Sequence, residues 1–335
     1  MLYQTDFGRY YIGKCETYLR KLKLKGKVQL ILTSPPFPLN NKKQYGNLVG
    51  EEYLNWITSL APLFSELLTD NGSIVMEIGN AWEKNRPVQS LLPLKSLMGF
   101  VENPKANLRL CQEFICYNPA RLPSPAQWVT IERIRAIDSF THVWWMSKTD
   151  NPKADNRKIL RPYSDSIKKL LKEGCYNSGK RPSEHVISEK GFLKNNKGSI
   201  SHNVLMLKKY DKNQKLRLPY SMLSISNTKS NDIFTRTCRE RGIVPHPARM
   251  PLELACFFIE FLTDEGDIVL DPFAGSNTTG YCAEKLKRRW VGIEANEEYG
   301  YQSMIRFEDP SLNARIKRGK YLNESYGRNK ENCSG

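Results

Sequence analysis

The chain has 335 residues, 51 Lys plus Arg against 35 Asp plus Glu for a formal charge of +16, and a hydrophobic share of 40%. That length buries a core with ease and fits one large α/β unit with an inserted lobe better than three domains. No run is long and apolar enough to span a bilayer, and Met1-Leu2-Tyr3-Gln4-Thr5-Asp6 lacks the basic flank and apolar centre of a secretory leader, so a cytoplasmic protein is expected. The 8 cysteines are scattered without a Cys-x-x-Cys pair and the 4 histidines add no zinc spacing, which predicts reduced thiols and no structural metal.

Taken in order, Tyr10 to Gly13 reads as a short strand and Glu16 to Lys25 as a helix. Val28 to Leu32 is a buried strand, and Thr33-Ser34-Pro35-Pro36-Phe37 sits where it ends. In open α/β sheets that edge binds ligands. Taken alone, Ser-Pro-Pro is equally a stiff extended connector, because each proline fixes its own φ and restricts the residue before it. Asn40 to Gly50 is a polar loop with Lys42, Lys43 and Tyr45. Glu51 to Leu68 has the apolar spacing of an amphipathic helix, Asp70-Asn71-Gly72 is a turn, and Ser73 to Gly79 is the next buried strand. Strand, helix, strand is the pattern of a parallel sheet.

Leu91 to Phe100 predicts a helix, and Leu108 to Tyr117 and His142 to Ser147 two strands. Between the strands, three prolines at 119, 123 and 125 make a stiff loop; its Arg121 suits either a phosphate contact or plain solvation. From Asn151 to Thr235 the periodicity fades, and eighteen Lys plus Arg stand against seven Asp plus Glu. Basic residues interleaved with aromatic and amide ones suit phosphates and base edges. Four segments are therefore expected: 1–150, a lobe at 151–235, 236–310, and a polar tail at 311–335 that reads as a helix end plus a frayed end.

Regular structure returns with a helix from Leu252 to Thr263, started by Pro251, then a strand at Ile268 to Leu270. Asp271-Pro272-Phe273-Ala274-Gly275-Ser276-Asn277-Thr278-Thr279-Gly280 then turns into a helix, and the next strand ends at Glu294. Gly275 permits a tight turn, and Ser276, Asn277 and Thr278 would place N–H groups and hydroxyls at a helix N-terminus, where an anion is favoured. An acid ending the following strand can hold both ribose hydroxyls. The ligand is thus a riboside with an anionic group. NAD is one candidate, but the Gly-x-Gly-x-x-Gly fingerprint is absent, and a small carboxylate such as that of S-adenosylmethionine fits the single-glycine turn better.

Ser34-Pro35-Pro36-Phe37 early and Asp271 to Gly280 late together resemble the amino methyltransferases of DNA, and in this order their β group. The likeness is greatest to the PvuII type of cytosine-N4-specific enzymes and runs along most of the chain. It includes Lys43 to Leu48, Asn118-Pro119, Leu122 to Pro125, Val143-Trp144-Trp145, Pro162 to Asp165 and His246 to Arg249. The resemblance implies an α/β fold: a circularly permuted Rossmann-like sheet with helices on both faces and an inserted target-recognition lobe. The strand at Tyr10 to Gly13 would follow Glu294 in the ordinary order.

It further implies S-adenosyl-L-methionine as cofactor, held by Thr33, Asp271, Phe273, Gly275, Ser276, Asn277, Thr278 and Glu294. Double-stranded DNA is the implied partner, and a cognate restriction endonuclease would act separately; monomer and dimer both fit. Catalysis falls to Ser34 and the Pro35 carbonyl, which would accept hydrogen bonds from the exocyclic amino group, to Pro36, which holds Pro35 extended, and to Phe37, stacked on a flipped base. The family commonly has an acid or amide soon after the glycine at position 13; here Lys14 follows. Adenine-N6 methylation is the rival chemistry, and a catalytically inactive specificity protein the rival from another class.

Overall fold

In the computed structural model, which describes residues 1–38, 48–206, 233–246, 248–312 and 314–319, the apolar runs of the first half become strands in chain order. These are β1 (Tyr3–Gln4), β2 (Gly8–Ile12), β3 (Val28–Thr33), β4 (Leu68–Gly79), β5 (Arg109–Tyr117) and β6 (Phe140–Ser147). Between them lie α1 (Cys15–Lys21), α2 (Gly50–Leu67) and α3 (Leu92–Val101). Next come α4 (Asp165–Glu173), a small hairpin of β7 (Gly179–Lys180) and β8 (Val186–Ile187), β9 (Val204–Met206) and α5 (Ile233–Glu240). The chain closes with α6 (Leu252–Leu262), β10 (Ile268–Asp271), α7 (Thr278–Lys285), β11 (Arg289–Glu294), α8 (Glu297–Ser303) and β12 (Lys317–Arg318).

Apart from the hairpin, the strands form one sheet in the order β12-β1-β2-β11-β10-β3-β4-β6-β5-β9. Its centre, β2-β11-β10-β3-β4, is parallel. The early strand β2 lies against the late strand β11, and Gly13 N donates to Glu294 O at 2.8 Å. This adjacency is what a permuted order of strands requires.

Period-two alternation sends successive side chains to opposite faces. Leu30, Leu32, Val75, Val143 and Val269 pack on α6 and α7, while Ile31, Ile74, Met76 and Leu270 pack on α1, α2 and α3. Two apolar cores thus sandwich the sheet, and strands this deeply covered on both faces carry near-continuous apolar runs.

Two expectations need correction. Asp70-Asn71-Gly72 is not a turn before β4 but a bulge within it. The register jumps from Val28↔Leu68 to Leu30↔Ser73, and Ser147 Oγ fixes the bulge by donating to Gly72 O at 2.8 Å. The tail beyond 311 is not simply frayed, since Lys317–Arg318 pairs antiparallel with β1. The basic segment is joined to the sheet: β9 adds a parallel strand beside β5, and Lys153 bridges Asp264 and Asp267 at 2.8 and 2.6 Å. The polar loop from Asn40 lies largely outside the described residues. The run from Lys208 to Lys215 and residues 320–335 lie wholly outside them.

Candidate active site

The carboxyl ends of β3, β10 and β11 lie side by side, which brings Thr33, Asp271 and Glu294 to one edge of the sheet. Thr33 Oγ1 donates to Asp271 Oδ1 at 2.7 Å, Thr279 Oγ1 to Asp271 Oδ2 at 2.8 Å, and Phe273 N to Oδ1 at 3.1 Å. Burial pushes the Asp271 carboxyl up to about 6, and these three donors oppose the rise by stabilising the anion. Asp271 is thereby the knot that ties the turn to β3.

Above that edge opens a cavity of about 530 Å³, whose lining includes Phe273, Gly275, Ser276, Thr278, Glu294 and Glu16. Gly275 has φ 49°, and a Cβ there would meet His246 Nε2 at 3.3 Å, so both backbone and space favour glycine. Its N–H donates to Glu294 Oε2 at 2.9 Å, and Asn296 N donates to Oε1 at 2.8 Å. Burial raises the Glu294 carboxyl. Ser276 is held through Arg306, whose Nε donates to Ser276 O at 2.7 Å and Nη2 to its Oγ at 3.1 Å. Thr278 Oγ1 is buried at the start of α7 and has no hydrogen-bond partner among the described residues.

Two expected cofactor residues stand outside the lining. Thr33 spends its hydroxyl on Asp271. Asn277 is the left-handed cap of α7 with φ 57°; its Oδ1 accepts from Gly280 N at 3.1 Å and its Nδ2 donates to Tyr3 Oη at 2.9 Å. Its side-chain amide is thus engaged in capping α7 and in holding Tyr3.

Beside this cavity lies a second of about 210 Å³, whose lining includes Ser34, Phe37, Glu77, Asn118, Arg121 and Thr141. Ser34, Phe37, Ala248 and Arg249 line both spaces, so they form the partition between them. Pro35 and Pro36 line the larger one. Phe37 is seated against Gly79 at the end of β4, where a Cβ would come within 2.5 Å of its ring.

Glu77 was not legible as a site residue, although an acid inside the run Ile74-Val75-Met76-Glu77-Ile78 is the signal that could have marked it. Its carboxyl is buried, lies beside Ser34 by the pairing of Thr33 with Met76, and accepts from Thr141 Oγ1 at 3.0 Å. Burial pushes it up to about 7, against the pull of Thr141, Arg121 and Ser34. Arg121 is partly buried and lines the small cavity, and its Nη1 donates to Phe140 O at 2.9 Å. Glu16 is the acid nearest in sequence to the Lys14 departure. It lines the large cavity and takes a 2.6 Å hydrogen bond from Trp56 Nε1.

A DNA methylase family model matches residues 28–304. Type II methyltransferase M.PvuII from Proteus hauseri is 39% identical over 312 residues, covering 92% of this chain and 86% of that protein. The solved cytosine-N4-specific PvuII DNA methyltransferase superposes with a TM-score of 0.69 at 32% identity, over 96% of this chain and 90% of that one. TTHA0409 of Thermus thermophilus, solved with S-adenosyl-L-methionine, shares the fold at 18% identity and a TM-score of 0.50, over 90% of this chain and 95% of that one.

Proposed function

The chain belongs to the DNA methylase family, and we propose that it is a site-specific cytosine-N4 methyltransferase of double-stranded DNA, the modification enzyme of a restriction–modification system. One observation carries this reading. Ser34 and Phe37 line both cavities, so an amino group held at Ser34 lies between a base-sized space and a cofactor-sized one.

The residues present fit S-adenosyl-L-methionine. A carboxylate has about four lone-pair sites. Glu294 uses two of them on Gly275 and Asn296, and the rest suit ribose hydroxyls. The buried, unpartnered Thr278 hydroxyl and the start of α7 suit the methionyl carboxylate. Glu16 and Phe273 line the wall left for an adenine. When bound, the cofactor supplies an electrophilic methyl group on a sulfonium.

The protein supplies position and electrostatics. An exocyclic amino group is a poor nucleophile because its lone pair is delocalised into the ring. The Pro35 carbonyl and Ser34 Oγ accept hydrogen bonds from its two N–H groups, which draws the nitrogen toward tetrahedral geometry. Pro36 keeps Pro35 extended and so aims that carbonyl. Phe37 stacks on the base, which must leave the duplex to arrive there. Glu77 in its ionised form accepts a hydrogen bond from the Ser34 hydroxyl, turning the Oγ lone pairs toward the amino group. The proton lost after transfer passes through Ser34 to Glu77.

The basic segment within 151–235 supplies the recognition lobe in this reading, and a restriction endonuclease acting separately on the same sequence is the partner the role implies. The protein would work in the cytoplasm; no helix among the described residues is long and apolar enough to cross a membrane. Digesting DNA exposed to the enzyme into nucleosides tests the assignment. N4-methylcytosine is expected, and N6-methyladenine alone would give the reaction to adenine instead.

A further inference from the structure

Arg121 has a place that its role as a loop residue does not explain. The loop after β5 is stiffened by Pro119, Pro123 and Pro125 and closed by two bonds onto Asn118, from Ala120 N to Oδ1 at 3.0 Å and from Arg121 N to the carbonyl at 3.2 Å. The Arg121 side chain turns back toward the first residue of β6, where Nη1 donates to Phe140 O at 2.9 Å. That one bond fixes the planar head. A guanidinium carries five N–H donors in a rigid fork, so further donors remain beside the small cavity that Arg121 lines. Its nearest carboxylate, Asp138, is 4.0 Å away and already accepts from Asn80 Nδ2 at 2.8 Å.

Ser34, Glu77 and Arg121 all line this cavity. The pairing of Thr33 with Met76 sets Ser34 beside Glu77, and the Arg121 charge favours the Glu77 anion. The edge of cytosine presents three groups in succession: the amino group, ring nitrogen N3, and the carbonyl O2. Adenine presents an amino group and N1, and then a C–H. With the amino group at Ser34, the third group of the edge would reach farther into the cavity that Arg121 also lines. There a carbonyl would meet a charged donor, whereas a C–H would leave that donor desolvated and unmatched. A site built to hydrogen-bond a substrate group rejects the analogue that lacks it far more strongly than an apolar pocket could.

We propose that Arg121 is a specificity-determining residue that donates to O2 of the flipped cytosine and thereby discriminates against adenine. This rests on the cytosine reading above and goes beyond it by naming the group that makes the distinction. Ser34 and the Pro35 carbonyl serve either amino group; Arg121 serves only one of the two bases.

The test is a cycle between protein and substrate. Genomic mapping first gives the methylated sequence. Two duplexes are then made, one with cytosine at the target and one with the 2-aminopyridin-5-yl C-nucleoside, which keeps the amino group and ring nitrogen but lacks O2. With wild-type enzyme, removing O2 is expected to lower kcat/KM on the order of 10- to 100-fold, the worth of a hydrogen bond to a charged group. Arg121→Ala should lose a similar factor on cytosine and then be indifferent to O2. Arg121→Lys should recover part of the rate on cytosine and part of the sensitivity to O2.

If Arg121 only braces the loop, R121A will slow both duplexes by one common factor and the two losses will multiply, which overturns the proposal. So will a wild-type enzyme indifferent to O2. Calorimetric binding of S-adenosylmethionine to R121A, expected within about twofold of wild type, shows that the variant is folded. Absence of N4-methylcytosine with wild-type enzyme would instead fail the functional reading, and this inference with it.

Discussion

Thr33 donates a 2.7 Å hydrogen bond to Asp271 across 238 residues of sequence, with both side chains buried. The contact joins the last residue of β3, next to Ser34, to the last residue of β10, where the cofactor turn begins. Thr33→Val removes the donor and leaves a buried carboxylate with two partners. A destabilisation of roughly 1–3 kcal/mol is expected, together with weaker cofactor binding. Urea denaturation and calorimetry measure the two, and an unchanged midpoint would make the contact ornamental.

Ser34→Ala should leave cofactor and DNA affinity within about twofold and lower kcat on the order of 10²-fold, since it removes a group that acts on the amino nitrogen in the transition state. Single-turnover kinetics read this directly. Full turnover would take Ser34 out of the mechanism.

Glu77 sets a pH dependence. Its ionised form is the one that orients Ser34, so turnover should rise with pH through about 7. Glu77→Gln should flatten that rise as well as lower the rate. Stability runs the other way. A carboxyl raised by burial from its ordinary value to about 7 contributes stability that is complete at pH below its unfolded value and is lost as pH climbs through 7. Asp271, pushed up to about 6, adds in the same direction. Relative to wild type, E77Q should therefore gain stability between pH 5 and pH 8, by up to about 3 kcal/mol. Parallel denaturation curves at the two pH values would refute this.

Glu294→Ala should weaken S-adenosylmethionine on the order of 10- to 100-fold. The loss has two sources: the ribose acceptors, and the anchor of the Gly275 and Asn296 amides. Affinity unchanged by titration calorimetry would place the ribose elsewhere.

DNA affinity should fall steeply with salt, through release of counterions from the phosphates that the Lys and Arg side chains neutralise. Binding isotherms between about 50 and 200 mM salt measure the slope. A flat response would deny the basic segment a role on the duplex.

Much of the site could be read from the sequence because it is built from local rules. A strand ending in Ser-Pro-Pro-Phe and a strand turning through Asp271 to Gly275 into a helix each announce themselves by short-range patterns. The hidden parts depend on direction. Asn277 looks like a ligand group until its left-handed backbone turns the amide into the core. Glu77 looks like one residue of a buried strand until the pairing of β3 with β4 places it beside Ser34. Arg121 could not be assigned, because only the fold of its proline loop decides whether the side chain meets solvent, phosphate or base. The bulge at Gly72 and the pairing of β12 escaped for another reason. Both are set by partners far away in the chain.

Strands β1 and β12 are partners, Tyr3 opposite Arg318, and Gly319 N donates to Leu2 O at 2.8 Å. The first and last strands of the described residues are therefore neighbours, and the described fold closes on itself at this seam. A gene fused across this seam and reopened in the exposed turn at Asp264 to Gly266 would encode the cofactor turn first and the Ser-Pro-Pro-Phe pocket later. Every strand would keep its neighbours and both cavities their walls. The order in which the chain meets its two motifs is thus separable from the chemistry they enclose.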